Sequence, residues 1–197
     1  MSKTVEFFFD FGSPASYLAW TQLPKIAAAT GAQIVWKPML LGGVFKATGN
    51  SSPVTIPAKG KWLMDDLGRF AKNYGVPLAM PPNFPVNTLT MMRGACGVQI
   101  KRPADLARYC EAIFSAMFGR GLDMGNPDVV AGVLAAAGFD PAEFAALTAN
   151  PAVKQALIAN TEEAVARGVF GAPTMFVGGE MHFGQDRLDF VARALGS

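Results

Sequence analysis

The pattern of apolar and polar positions is strand-like at both ends of the chain and helical between them. Val5 to Phe9 is a short run of strand formers that stops at Asp10, and Gly12-Ser13-Pro14 punctuates it before an Ala- and Leu-rich stretch. In that stretch Tyr17, Leu18, Leu23 and Ile26 supply apolar positions as far as Gly31, so the segment predicts strand, sharp turn and helix. Ser13 has the short oxygen-bearing side chain of an N-cap, and Pro14 suits the first helical position. Gln33 to Lys37 predicts a second strand closed by Pro38, which makes residues 5–38 one βαβ unit.

From Gly42 to Pro57 the chain is rich in Gly, Ser and Pro, and from Lys61 onward helical spacing takes over. Asn126-Pro127, Asp140-Pro141 and Asn150-Pro151 each put a capping side chain before a proline of the first turn, and Asp140 with Glu143 has capping-box spacing. About five helices are expected between residues 61 and 166. After Gly171 the β pattern returns: Thr174 to Val177, then Gly178-Gly179, then Glu180 to Phe183, a strong hairpin signal. Gly184-Gln185-Asp186-Arg187 opens a last helix through Leu188, Phe190, Val191 and Leu195. The order βαβ, helical block, ββα predicts an α/β protein with a thioredoxin-like fold split by an inserted all-helical domain. Residues 1–43 and 167–197 would form the thioredoxin-like part and residues 44–166 the insertion.

Composition narrows the chemistry. Hydrophobic residues make up 51% of the 197, enough for a sizeable core. The net charge of +2 comes from scattered Lys and Arg, which argues against nucleic acid as a partner. No apolar stretch approaches the roughly 20 residues of a spanning helix, so no membrane partner is expected and the protein reads as soluble and cytoplasmic. Cys96 and Cys110 do not form a Cys-x-x-Cys pair, and His182 is the single histidine, so no metal site is expected. Both cysteines read as small buried hydrophobes.

Three segments are candidates for chemistry. At the first strand-to-helix turn, Ser13 sits where free backbone N–H groups and the helix dipole favour an anion; a thiolate placed there would be stabilised, although Ser13 would also serve simply as a cap. Gly171-Ala172-Pro173-Thr174 puts a proline directly before a strand. A cis bond would free the Ala172 backbone to pair with a ligand peptide, but only about 5% of X-Pro bonds are cis, so local sequence favours trans. Gly184-Gln185-Asp186-Arg187 would hold a zwitterionic amino-acid group between N–H groups and a carboxylate, or Asp186 would be a helix acid paired with Arg187. Asn50, Lys59 and Asn87 stand in Gly- and Pro-rich loops, where a polar side chain either meets a ligand or is merely solvated. Lys37 ends an apolar strand, a common place for an edge charge.

Taken together, Phe9-Asp10-Phe11-Gly12-Ser13-Pro14-Ala15-Ser16-Tyr17, Gly49-Asn50, Pro57-Ala58-Lys59-Gly60, Asn87-Thr88-Leu89, Val169-Phe170-Gly171-Ala172-Pro173-Thr174 and Phe183-Gly184-Gln185-Asp186-Arg187 resemble, over the whole chain, the 2-hydroxychromene-2-carboxylate isomerase family, kin to kappa-class glutathione transferases. The resemblance implies a DsbA-like thioredoxin domain with a helical insertion and glutathione in the cleft between them. Ser13 would hydrogen-bond the glutathione sulfur, Ala172 before a cis Pro173 would pair with the cysteinyl peptide, and Gln185 and Asp186 would hold the γ-glutamyl end. Lys59 would meet the glycyl end and Asn50 would lie near sulfur and substrate. Lys37 and Asn87, lining the cleft, would bind the carboxylate and oxygens of a small aromatic substrate. It further implies a homodimer. A transferase would use the same site, whereas a disulfide oxidoreductase needs Cys at positions 13 and preferably 16, both Ser here. A binding or chaperone module without turnover stays open on fold grounds.

Overall fold

The computed structural model describes residues 3–196. A four-stranded mixed sheet runs in the order β2-β1-β3-β4, with β1 (Thr4–Phe9), β2 (Gln33–Pro38), β3 (Thr174–Val177) and β4 (Glu180–Phe183). β1 pairs parallel with β2 and antiparallel with β3, and β3 pairs antiparallel with β4. The parallel pair needs a crossover, and α1 (Pro14–Thr30) supplies it, ending at left-handed Gly31. The hairpin turn at Gly178-Gly179 has φ of 57° and 92°, a region that glycine enters without a Cβ penalty.

β1 buries phenylalanines on both faces because both are covered. Val5, Phe7 and Phe9 belong to the main core with α1 and the helical block, while Phe8 joins Met39, Val44, Ala164, Val169 and Phe176 on the opposite face. Phe9, Phe11 and Phe114 stack edge to face or tilted, with centroids 4.7–6.0 Å apart, and so carry the core from the sheet into the helices. On the second face Arg167 lies 3.9 Å over the Phe176 ring and pairs with Glu6. The Arg167 guanidinium holds the Glu6 carboxyl below its ordinary range.

The helices α2 (Leu41–Thr48), α3 (Pro57–Tyr74), α4 (Leu89–Lys101), α5 (Leu106–Phe114), α6 (Pro127–Ala136), α7 (Pro141–Ala149) and α8 (Pro151–Ala166) fill the middle of the chain. From Pro57 to Ala166 there are six rather than about five, and α2 forms in sequence whose glycines suggested a loop. Val44 of α2 reaches the second core, and that burial outweighs weak propensity. The expected boundary between residues 43 and 44 falls inside α2. Asn126, Asp140 and Asn150 accept the amides of Asp128, Ala142 and Ala152 at 2.9, 2.7 and 2.9 Å. Glu143 does not complete a capping box; it lies 3.5 Å from Arg102. The last helix, α9 (Leu188–Ala194), starts later than its pattern indicates, after a 3₁₀ turn at Gln185–Arg187. Cys96 and Cys110 are free and buried. Among the described residues no single helix is long and apolar enough to cross a membrane.

Candidate active site

The C-terminal end of β1 leads into the turn that carries Ser13. Its backbone is extended (φ −103°, ψ 111°), and its Oγ accepts the Ser16 N–H at 3.0 Å, so it is the N-cap of α1. The same hydroxyl donates to the carbonyl oxygen of Ala172, also at 3.0 Å. The Ala172–Pro173 bond is cis, against the expectation from local sequence. A contact 159 residues away in sequence, with Thr174 held in β3 against Phe8, outweighs the local preference. Gly171 lets the Phe183 ring pack close to this loop: a Cβ would meet Phe183 Cε2 at 2.7 Å and push the ring aside.

These groups open into a cavity of about 260 Å³. Ser13, Asn50, Ala172, Gln185 and Asp186 all line it. Asn50 Nδ2 donates to the Phe170 carbonyl at 2.8 Å, tying the end of α2 to the cis-proline loop. Gln185 is buried, and its Oε1 accepts the Tyr74 hydroxyl at 2.9 Å. Asp186 pairs with Arg187 at 2.6 Å and also lines the wall. Lys59 borders an adjoining shallow hollow that shares Pro53, Trp62 and Leu63 with the cavity, which puts it at the rim. Much of the remaining wall is apolar, with Leu41, Phe45, Trp62, Leu63, Met64 and Phe84, and Ser51, Ser52 and Asp66 add polar groups to it.

Two expected residues lie elsewhere. Lys37 pairs in register with Phe8, and its Nζ lies 2.9 Å from Glu163 of α8; the strand's alternation turns it to the second core, away from the cavity wall. Asn87 caps its own turn by accepting the Leu89 N–H at 3.1 Å and lines a separate hollow with Thr90, Met124 and Phe144. The neighbouring Thr88 is the residue that reaches the site region.

Thr88 donates to Asp10, a residue whose role sequence reasoning missed. The buried Asp10 carboxylate accepts the Thr88 hydroxyl at 2.6 Å, the Gly12 N–H at 2.8 Å and the Leu41 N–H at 2.7 Å. It thereby ties the Ser13 turn to the starts of α2 and α4. Burial pushes its pKa up, against the lowering effect of these three bonds. The available signal was an acid set within the apolar run Phe7-Phe8-Phe9-Asp10-Phe11. Tyr74, at the end of α3, left no comparable mark. The two thiols stay apart from this chemistry: burial raises Cys96 to about 12 and drives Cys110 higher still.

The family model of the DSBA-like thioredoxin domain matches residues 4–196. The 2-hydroxychromene-2-carboxylate isomerase of Sphingobium xenophagum is 34% identical over 194 residues, covering 97% of each chain. The chain belongs to the 2-hydroxychromene-2-carboxylate isomerase family within the DsbA-like thioredoxin fold. A solved structure of such an isomerase superposes with a TM-score of 0.88 at 35% identity, covering 98% of this chain and 94% of that one. The related glutathione transferase branch is represented by human glutathione S-transferase kappa 1, 28% identical over 208 residues, covering all of this chain and 92% of that protein. In this member of the isomerase family, Ser13 stands at the helix start where thioredoxin-fold oxidoreductases use a thiol. With Ser at position 13 and Ser again at position 16, the turn carries no thiol of its own.

Proposed function

We propose that the protein is a glutathione-dependent isomerase that interconverts 2-hydroxychromene-2-carboxylate and trans-o-hydroxybenzylidenepyruvate, in the breakdown of aromatic hydrocarbons. The observation that carries this reading is the Ser13 hydroxyl at the start of α1, in contact with the cis-proline loop and open to the cavity. It stands in a chain 34% identical to a 2-hydroxychromene-2-carboxylate isomerase over nearly its whole length.

The donors and acceptors on the wall suit glutathione part by part. On binding, the Ser13 O–H turns from the Ala172 carbonyl to donate to the sulfur, and the N-terminal dipole of α1 adds to the stabilisation of negative charge. The Ala172 backbone pairs with the cysteinyl peptide beside Pro173. Gln185 and Asp186 take the γ-glutamyl carboxylate and ammonium, and Lys59 at the rim takes the glycyl carboxylate. Glutathione supplies a thiolate that adds reversibly to the conjugated carbon, so that a double bond becomes rotatable and elimination releases the other isomer without net redox change.

The apolar wall of Leu41, Phe45, Trp62 and Phe84 holds a flat ring and excludes water. With Lys37 and Asn87 elsewhere, Asn50, Ser51 and Ser52 of the same cavity are the polar groups offered to the substrate's oxygens. Positioning and anion stabilisation then supply most of the rate. In this reading segments 1–43 and 167–197 act as the thioredoxin-like unit and 44–166 as an insertion that closes the cleft. A cytoplasmic homodimer belongs to the same proposal.

Calorimetric titration with reduced glutathione tests the cofactor, and ultraviolet monitoring of 2-hydroxychromene-2-carboxylate with and without glutathione tests the reaction. Binding with a glutathione-dependent spectral change and no conjugate is expected. A product that retains glutathione would instead support a kappa-type transferase, the second reading favoured by the full-length similarity to the human enzyme. No binding would remove the proposal.

A further inference from the structure

Gln185 is 5% exposed, yet it belongs to the cavity wall. Its side-chain amide has two ends with opposite chemistry, a carbonyl acceptor and an NH₂ donor. The Tyr74 hydroxyl lies 2.9 Å from Gln185 Oε1 and 3.2 Å from the Gln185 main-chain oxygen. Both neighbours are acceptors, so the phenol must be the donor. Burial, then the charges of Asp189 and Asp186, push the Tyr74 pKa up to about 12 and keep that proton in place. With Oε1 taken, Nε2 projects from the other side of the planar amide. Among the described residues Nε2 has no protein acceptor, and it is not one of the buried atoms without a partner. It therefore faces open space, which for a side chain this buried is the cavity.

We propose that Tyr74 is a positioning residue that sets the Gln185 amide with its NH₂ toward the cavity, so that Gln185 recognises a carboxylate, the α-carboxylate of a γ-glutamyl group. The inference rests on the glutathione reading above and adds how that end is told apart. Asp186, the next residue, offers the complementary carboxylate for the ammonium. Tyr74 comes from α3 in the helical block, whereas Gln185 lies in the turn after β4. The specificity of one segment for the γ-glutamyl group is thus set by a hydroxyl from the other.

The test is calorimetric titration of the wild-type protein, Tyr74→Phe and Gln185→Glu with reduced glutathione and, separately, with cysteinylglycine, which lacks the γ-glutamyl group. Loss of one neutral hydrogen bond that orders the amide is expected to raise the Kd of Tyr74→Phe for glutathione about three- to tenfold. The KM for glutathione should follow, kcat at saturating glutathione should hold, and the Kd for cysteinylglycine should not change. Gln185→Glu sets a carboxylate against a carboxylate and should weaken glutathione about tenfold or more. An unchanged or tighter Kd for Gln185→Glu would mean that the acceptor end faces the ligand and would overturn the proposal. Equal weakening of Tyr74→Phe toward both thiols, or no weakening toward glutathione, would overturn it too. Absence of glutathione binding by the wild-type protein would sink both this inference and the functional reading, whereas normal binding retained by Tyr74→Phe sinks this inference alone.

Discussion

Ser13→Ala separates the two jobs of one hydroxyl. Its structural job consists of two bonds, the cap to the Ser16 N–H and the tie to the Ala172 carbonyl, both 3.0 Å long. A cap contributes about 1 kcal/mol and a net neutral hydrogen bond a similar amount. The loss of about 2 kcal/mol lowers the melting temperature of a chain of 197 residues by roughly 4–8 °C. The chemical job is larger in effect. A hydrogen bond to a charged sulfur is worth about 1.5–3 kcal/mol, and 1.36 kcal/mol corresponds to one pKa unit. The pKa of protein-bound glutathione should therefore rise by roughly one to two units, and turnover at neutral pH should fall roughly ten- to a hundredfold. Ultraviolet absorbance of the bound thiolate, followed across pH in wild type and variant, reads the shift directly, and thermal melting reads the fold. If the melting temperature drops as expected while the bound thiol titrates at an unchanged pH, Ser13 is a cap and nothing more, and the mechanism is wrong.

Asp10→Asn should change how stability depends on pH. The folded-state pKa of Asp10 lies above its ordinary 3.8, so the folded protein holds this proton more tightly than the unfolded chain, and wild-type stability should fall as pH rises from 3.8 through the folded value. Glu6 acts in the opposite sense, because its lowered pKa makes its contribution disappear as pH falls. The measurement is accordingly the wild-type-minus-variant difference in denaturant midpoint, and a difference that is flat with pH would contradict the assignment. Lys37→Met should leave isomerase turnover within about twofold, since Lys37 is off the cavity wall, and should cost under about 1 kcal/mol for a pair whose side chains are 22% and 36% exposed; a large loss of turnover would return Lys37 to the site. Native protein should resist alkylation at Cys96 and Cys110, whose thiols burial keeps protonated, and should react fully once unfolded; rapid labelling of the native form would contradict the packing around them.

The elements were legible in the sequence because their signals are local. The Phe-rich run of β1, the Ser13-Pro14 cap, the three Asx-Pro helix starts and the Gly-Gly hairpin each depend on a few adjacent residues, and each forms where its pattern lies. Local signals misled where distant packing decides. α2 forms because Val44 is buried against Phe8 and Ala164, and Glu143 turns to Arg102 instead of closing its cap. In the site, sequence alone determined which residue types were available: a hydroxyl at a helix start, a proline before a strand, and an amide and an acid after the hairpin. Only the tertiary structure decided their partners, because bonds spanning 159, 111 and 78 residues join Ser13 to Ala172, Tyr74 to Gln185 and Thr88 to Asp10. Strand alternation and one-residue steps along a loop then separate wall from exterior. They turn Lys37 to Glu163 and send Thr88, not Asn87, to the Ser13 turn, and no periodicity along the chain encodes which side a cavity will be on.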